Sequence, residues 1–361
     1  MGQQSDVIVI GAGIIGATIA WRLAREGLSV RMLDAAEMAS EASRAGAGML
    51  APGGEVERVD QAARFLIESL RLYPGYIAAL REESGVMIDF RMSGAVELAI
   101  GDREIHALEE LAAIRAGVGI ASEPLDAAAL RREVPLLHEP AAAARFYPGD
   151  AQVDPVDVAA ALRVACSRRG VVIEEYAAAH AVDATSQGVT VRTAGGTRTA
   201  AMAVLAAGAW SSSVAVTAAG VPLPLPEAYP VRGHLIGYDL SPGSLGPIVR
   251  HGSTYILQRR TGFTLGGTTM ERTGFDRGPD PAAIADIRRR CGALMPCLAG
   301  AQPLRAWTGF RPGADGGLHL EQAGGSALWL AYGHLRNGIL LAPATAEHLC
   351  AAMLSASSGR L

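Results

Sequence analysis

Apolar and polar positions follow two different periods along this chain. Residues 6–10 form a short apolar run that ends at glycines 11, 13 and 16. Apolar positions then recur at Ile15, Ile19 and Leu23, the spacing of one helix face, up to Gly27. This predicts a strand over 6–10, a helix over 14–26 and a second strand over 29–33. Further helices are expected over 58–73, 102–116, 126–133 and 156–169. Strands are expected over 94–100, 171–173, 188–193 and 197–205. The helix at 156 has its own start signal: Asp154 suits the N-cap, Pro155 the first helical position, and Gly170 ends it. Residues 222–304 read as alternating strands, among them 233–238, 254–258 and 263–267. A strand over 328–332 and a mostly helical 338–353 complete the pattern.

Helix-and-strand texture therefore occurs three times, separated by two stretches richer in strands. This predicts an α/β fold with a discontinuous Rossmann-type domain from residues 1–80, 146–220 and 306–361. A second, α+β domain on a mostly antiparallel sheet would come from 81–145 and 221–305. A chain of 361 residues has room for two such domains.

Composition narrows the function. Hydrophobic residues make up 50% and charged residues 19%, so a large core can form. A net charge of −4 without a basic run gives no footing for nucleic acid or an anionic membrane surface. Residues 7–21 are uncharged, but Asp6 flanks them and the glycines account for their apolarity. No integral membrane association is expected. The cysteines Cys166, Cys291, Cys297 and Cys350 are scattered, so neither a disulfide framework nor a metal site is expected. Free thiols suit a reducing cytoplasm.

The first motif carries binding chemistry. Gly11 permits a tight turn, Gly13 lets a pyrophosphate approach the backbone, and Gly16 lets the helix lie close to the strand. Phosphates would sit on the unpaired N–H groups at the helix start, with Ile14 and Ile15 in its first turn. Asp34 lies at the end of the second strand, 23 residues past Gly11, where a ribose hydroxyl can donate to it. On these residues alone a nicotinamide dehydrogenase and a flavoprotein both stand open.

Further motifs follow in a fixed order: residues 43–52, Val153-Asp154-Pro155, residues 206–211, Tyr255, Gly309-Phe310-Arg311-Pro312-Gly313 and residues 333–345. Together they resemble the D-amino-acid oxidase superfamily of flavoproteins, most closely the glycine oxidases of bacterial thiamine biosynthesis. The resemblance implies noncovalently bound FAD. The pyrophosphate would lie on Gly11, Gly13 and Gly16, the adenosine ribose on Asp34, and the adenine on the backbone of Val172. Ser43, Gly48 and Met49 would flank the flavin, and Gly208 would lie in a second glycine turn near it. Arg336, Asn337, Gly338, Ile339 and Leu340 would open the last helix toward the flavin's N1–C2=O edge.

For the substrate, the resemblance implies a carboxylate held by Arg311 and Tyr255, with Met49 beside it and Arg336 in support. A guanidinium fork matches a carboxylate through two parallel hydrogen bonds. Without the resemblance, a surface arginine and a core tyrosine remain open for these two. The implied reaction is oxidative deamination of glycine, sarcosine or a small D-amino acid, with hydride passing from Cα to flavin N5. Dioxygen would be the electron acceptor and a homotetramer the assembly. The alternative is a dehydrogenase or oxidase of D-amino acids or sarcosine on the same fold with another acceptor. A flavin-binding protein without turnover would lack Arg311 and Tyr255. His334 is expected to be structural. The chain departs from the family at Leu318-His319-Leu320-Glu321 and at Ser253.

Overall fold

The computed structural model describes residues 5–138 and 142–358. Two large sheets organise it. The first is ten-stranded and has a parallel centre: Val172–Glu174, Val30–Leu33, Ser5–Ile10, Gly196–Leu205 and Leu328–Tyr332 lie side by side in that order. Val7, Ile8 and Val9 are fully buried, as a parallel strand covered on both faces requires. Antiparallel strands Val189–Thr193, Ala179–Ala184 and His319–Gln322 extend the sheet.

The second sheet has eight strands and is mostly antiparallel. Its order is Arg305–Ala314, Ala228–Asp239, Phe263–Gly267, Thr254–Gln258, Ile248–His251, Ala95–Ala99, Ala143–Tyr147 and Glu123–Leu125. Only Ile248–His251 with Ala95–Ala99 is a parallel pair. The helix Pro281–Leu294 covers one face through Ile287, Cys291 and Leu294. The fold is therefore the α/β arrangement expected, with a Rossmann-type sheet and a largely antiparallel second sheet. The strand Arg305–Ala314 belongs by hydrogen bonding to the second sheet, although residues from 306 onward were expected with the first.

Three helices pack together: Ile14–Arg25, Gln61–Ser84 and Gly338–Ser358. Gln61–Ser84 starts at Asp60, whose carboxylate accepts from the Ala63 N–H, and runs through Pro74 rather than stopping there. Gly338–Ser358 contains Pro343, which cannot donate to the Ile339 carbonyl. The Tyr73 hydroxyl donates to that carbonyl instead, and Ser69 Oγ donates to the Leu340 carbonyl at 2.6 Å. The first turn of the last helix is thus held by its neighbour. This helix is long and apolar enough to cross a membrane. Here it packs on the other two, with Leu340, Ala342, Ala346 and Leu349 buried.

Candidate active site

The carboxyl ends of the parallel strands open into one large cavity of about 1040 Å³. Ligands of open α/β sheets bind at that edge. The cavity runs from the glycine turn to the second sheet, and it collects most of the residues expected at the site. Gly11, Gly13, Ile14, Ile15, Asp34, Ser43, Gly48, Met49 and Gly208 line it, as do Tyr255, Arg311, Arg336, Asn337, Gly338 and Ile339.

At the glycine turn, Gly11 has φ +101°, and a Cβ there would lie 2.4 Å from the Ala206 carbonyl oxygen. Gly16 lies beneath the cavity rather than on it. A Cβ at Gly16 would lie 1.9 Å from the Gly11 carbonyl oxygen, so its absence lets helix and strand touch. The Ser43 hydroxyl accepts from the Ile14 N–H at 2.9 Å. It ties the small-residue loop to the helix start, where a phosphate would sit. Asp34 Oδ2 accepts from the Ala12 N–H at 2.7 Å and Oδ1 from Ala36 N–H at 2.9 Å. Burial pushes its carboxyl up from the ordinary value while those two N–H groups pull it down. Each oxygen keeps a lone pair for a ribose hydroxyl.

Besides Gly16, two expected residues are placed elsewhere. Val172 lies on the outermost parallel strand and does not reach the cavity. After it the chain bulges at Tyr176, φ +55°, the Ala177 N–H donating to the Asp34 carbonyl at 2.7 Å, and runs on to bring Ala178, Ala179 and His180 to the cavity instead. Leu340 is buried in the core behind the helix start.

The far end is built by the second sheet. Arg311 stands on Arg305–Ala314 opposite Val231, and its guanidinium crosses Gly233 on the neighbouring strand. A Cβ at Gly233 would lie 2.2 Å from Arg311 Nη1, so only glycine leaves that path open. Arg311 Nη1 donates to the Thr269 carbonyl at 2.9 Å, and Nη2 to Thr268 Oγ1 at 2.8 Å. Among the described residues no carboxylate pairs with it. Burial pushes its pKa down, which expresses the cost of an uncompensated cation. Tyr255 is buried beside it, its ring over Gly267. Burial raises the Tyr255 pKa, so its hydroxyl stays protonated and can donate.

Around this pair stand residues that sequence reasoning missed. Glu55 accepts from Arg336 Nη2 at 2.6 Å and from Asn337 Nδ2 at 3.4 Å. Arg290 donates through Nη2 to the Thr268 carbonyl at 3.1 Å and through Nη1 to Ser253 Oγ at 3.2 Å. Ser253, one of the two departures, thus lines the cavity as an arginine partner. At the other departure, His319 bonds the Asp315 carbonyl (2.7 Å) and Glu321, and the loop lies off the cavity. His334 is buried, its Nε2 bonded to Thr345 Oγ1 at 3.0 Å, and burial drives its pKa down to about 3. It stays neutral and offers no base.

The cavity fits a flavin dinucleotide. It has the volume, a glycine turn at a helix start, an acid at Asp34 where a ribose would lie, and a second helix start at Gly338. This is a dinucleotide-dependent oxidoreductase joined to an anion-binding pocket. The chain belongs to the family of FAD-dependent oxidoreductases that includes D-amino-acid oxidase, which it matches over residues 6–352. Within that family it is similar to the glycine oxidase of Geobacillus kaustophilus. The two are 32% identical over 355 residues, covering 96% of this chain and 92% of the relative. The crystal structure of that enzyme superimposes with a TM-score of 0.90 at 31% identity, covering 98% and 95% of the two chains. The iminodiacetate oxidase of Chelativorans sp. BNC1 superimposes with a TM-score of 0.85 at 25% identity, covering 97% and 95%.

Proposed function

We propose that this protein oxidises glycine and other small amino acids or N-substituted glycines to the corresponding α-keto acid. The overall change from glycine takes up one dioxygen and one water and yields glyoxylate, ammonia and hydrogen peroxide. One observation carries the reading: Arg311 is a half-buried guanidinium without an acidic partner among the described residues, facing the same cavity as the dinucleotide turn. Such a cation is stabilised by an incoming carboxylate. Bound FAD would supply the two-electron acceptor.

The chain's own groups bind and orient. Arg311 and the Tyr255 hydroxyl hold the substrate carboxylate, while Met49 and Leu235 provide apolar wall. The turn at Gly11–Gly16, Ser43 and Asp34 would hold the dinucleotide, and the first turn of Gly338–Ser358 would meet the flavin with its N–H groups. The dipole there favours negative charge. With His334 neutral and Tyr255 protonated, the substrate amine loses its proton to water. Positioning carries the rate.

The test is anaerobic reduction of the bound flavin by glycine, sarcosine, D-alanine and bulky D-amino acids. The reading requires bleaching by the small substrates, and bleaching by none would end it. Peroxide formed per turnover then separates an oxidase from a dehydrogenase. No cysteine lines the cavity, so acid precipitation should release the yellow colour to the supernatant.

A further inference from the structure

We propose that Glu55 restricts this site to substrates with a single carboxylate. The inference rests on the amino-acid oxidase reading and names its substrate class more narrowly.

Five arginines line the cavity, and four are already matched, Arg277 by Glu41 at 2.7 Å. Arg250 pairs with Asp150 at 2.7 Å, Arg290 with Asp286 at 2.8 Å, and Arg336 with Glu55 at 2.6 Å. Among the described residues, only Arg311 of these lacks an acid. One added carboxylate therefore completes the charge of the site. A second would have to approach Arg336, which Glu55 has neutralised, and would meet the Glu55 charge.

Glu55 cannot easily withdraw. It follows the short turn Pro52–Gly54, whose Gly53 N–H donates to buried Asp150 at 2.9 Å. Gly54 lies directly on the Arg250 guanidinium; a Cβ there would sit 2.6 Å from Nη1. The turn is thus clamped from below by the Arg250–Asp150 pair. Arg336 is equally fixed at its backbone. Leu335 before it has φ +47° and donates its N–H to the Pro312 carbonyl at 2.9 Å, one residue past Arg311. The two charges lie close enough to Arg311 to act on it, Arg336 lowering its pKa and Glu55 raising it. Were Glu55 neutral, Arg311 and Arg336 would form a two-cation site suited to a dicarboxylate.

The experiment uses the FAD-loaded protein at pH 8 and reads ligand binding by the change in flavin absorbance. The probes are acetate and malonate, neither of which carries an oxidisable amine. The wild type should bind acetate at least tenfold more tightly than malonate. In Glu55→Gln the malonate-to-acetate affinity ratio should rise at least tenfold, and adding Arg336→Gln should abolish that rise. Arg336→Gln alone leaves Glu55 bare, so the ratio should fall below the wild-type value. An unchanged ratio in Glu55→Gln, a rise in Arg336→Gln, or equal binding of both acids by the wild type would each overturn the proposal. Because neither probe is oxidised, the result is independent of turnover. Failure of the oxidase reading would show separately, as a flavin that glycine does not reduce.

Discussion

Two arginines, one buried and one half-buried, line the same cavity and are treated in opposite ways. Under the Pro52–Gly54 turn, Arg250 has Asp150 at 2.7 Å and Glu97 at 3.5 Å, and these acids outweigh burial to raise its pKa. At the other end Arg311 has only the neutral oxygens of Thr268 and Thr269, and burial lowers its pKa. Both places remove a guanidinium from water. The first supplies the counter-charge from the chain, so the ion pair belongs to the fold. The second supplies none among the described residues, which is why we propose that a ligand carboxylate supplies it. The contrast separates a structural arginine from a binding one without reference to any relative.

The comparison can be broken at either arginine. Arg311→Ala should lower kcat/KM for glycine by about two to four decades, the equivalent of roughly 3–5 kcal/mol lost with the partner of a shielded ion pair. Flavin content should be retained, since other segments hold the dinucleotide. Arg311→Lys should recover little, because an ammonium lacks the planar fork. Near wild-type turnover in Arg311→Ala would move the carboxylate anchor, with Arg336 the first residue to test. Asp150→Ala should act on stability instead: leaving buried Arg250 with only the more distant Glu97 should cost up to about 3–5 kcal/mol. A lowered urea midpoint would register this, whereas an unshifted midpoint would make the pair dispensable.

His334 sharpens the contrast, because burial strips its proton where Arg311 keeps its own. Its folded pKa of about 3 lies below the ordinary value of 6.5. The unfolded chain therefore binds more protons between those values, and stability falls as pH drops through that window. Unfolding free energies at pH 7.5 and pH 5 should differ less in His334→Gln than in the wild type, by up to about 2 kcal/mol. An identical pH response would assign acid loss to other groups. The smallest effect belongs to Tyr255→Phe. One hydrogen bond of about 0.5–1.5 kcal/mol is removed, so kcat/KM should fall about tenfold at most. A loss of several decades would make Tyr255 the main anchor.

The nucleotide half was the more legible in sequence because its signals are local. A strand, three glycines, a helical face and an acid lie within 34 residues, and the structure reproduces them in register. Helix Pro155–Arg168 was equally readable from Asp154, whose side chain accepts from the Val156 N–H. The same Asp-Pro signal stands at Asp280-Pro281, yet the surrounding strands masked the helix Pro281–Leu294 that it begins. Gln61–Ser84 outran its expected end because packing on two neighbouring helices overrides the break at Pro74. Arg311 was found through its motif, and Pro312 fits there because Arg305–Ala314 is an edge strand. That Arg311 lacks an acid while Arg336 has Glu55 depends on contacts across 281 residues of chain, which no local pattern encodes. Val172 was misplaced for a related reason: the chain runs past the end of its strand through a bulge at Tyr176, and the residues after that bulge reach the cavity.

The interleaving of early and late segments also sets a schedule for synthesis. Strand Leu328–Tyr332 slots beside Gly196–Leu205, and the helix after it seals the cavity against the first helix. A ribosome that has released residues 1–327 has already made the glycine turn, Asp34 and Arg311, but the cavity wall formed by residues 334–339, which we propose meets the flavin, is still inside it. Nascent chains arrested there should fail to retain FAD, whereas those released through residue 358 should hold it. Cofactor loading would then be one of the final events in the life of the growing chain.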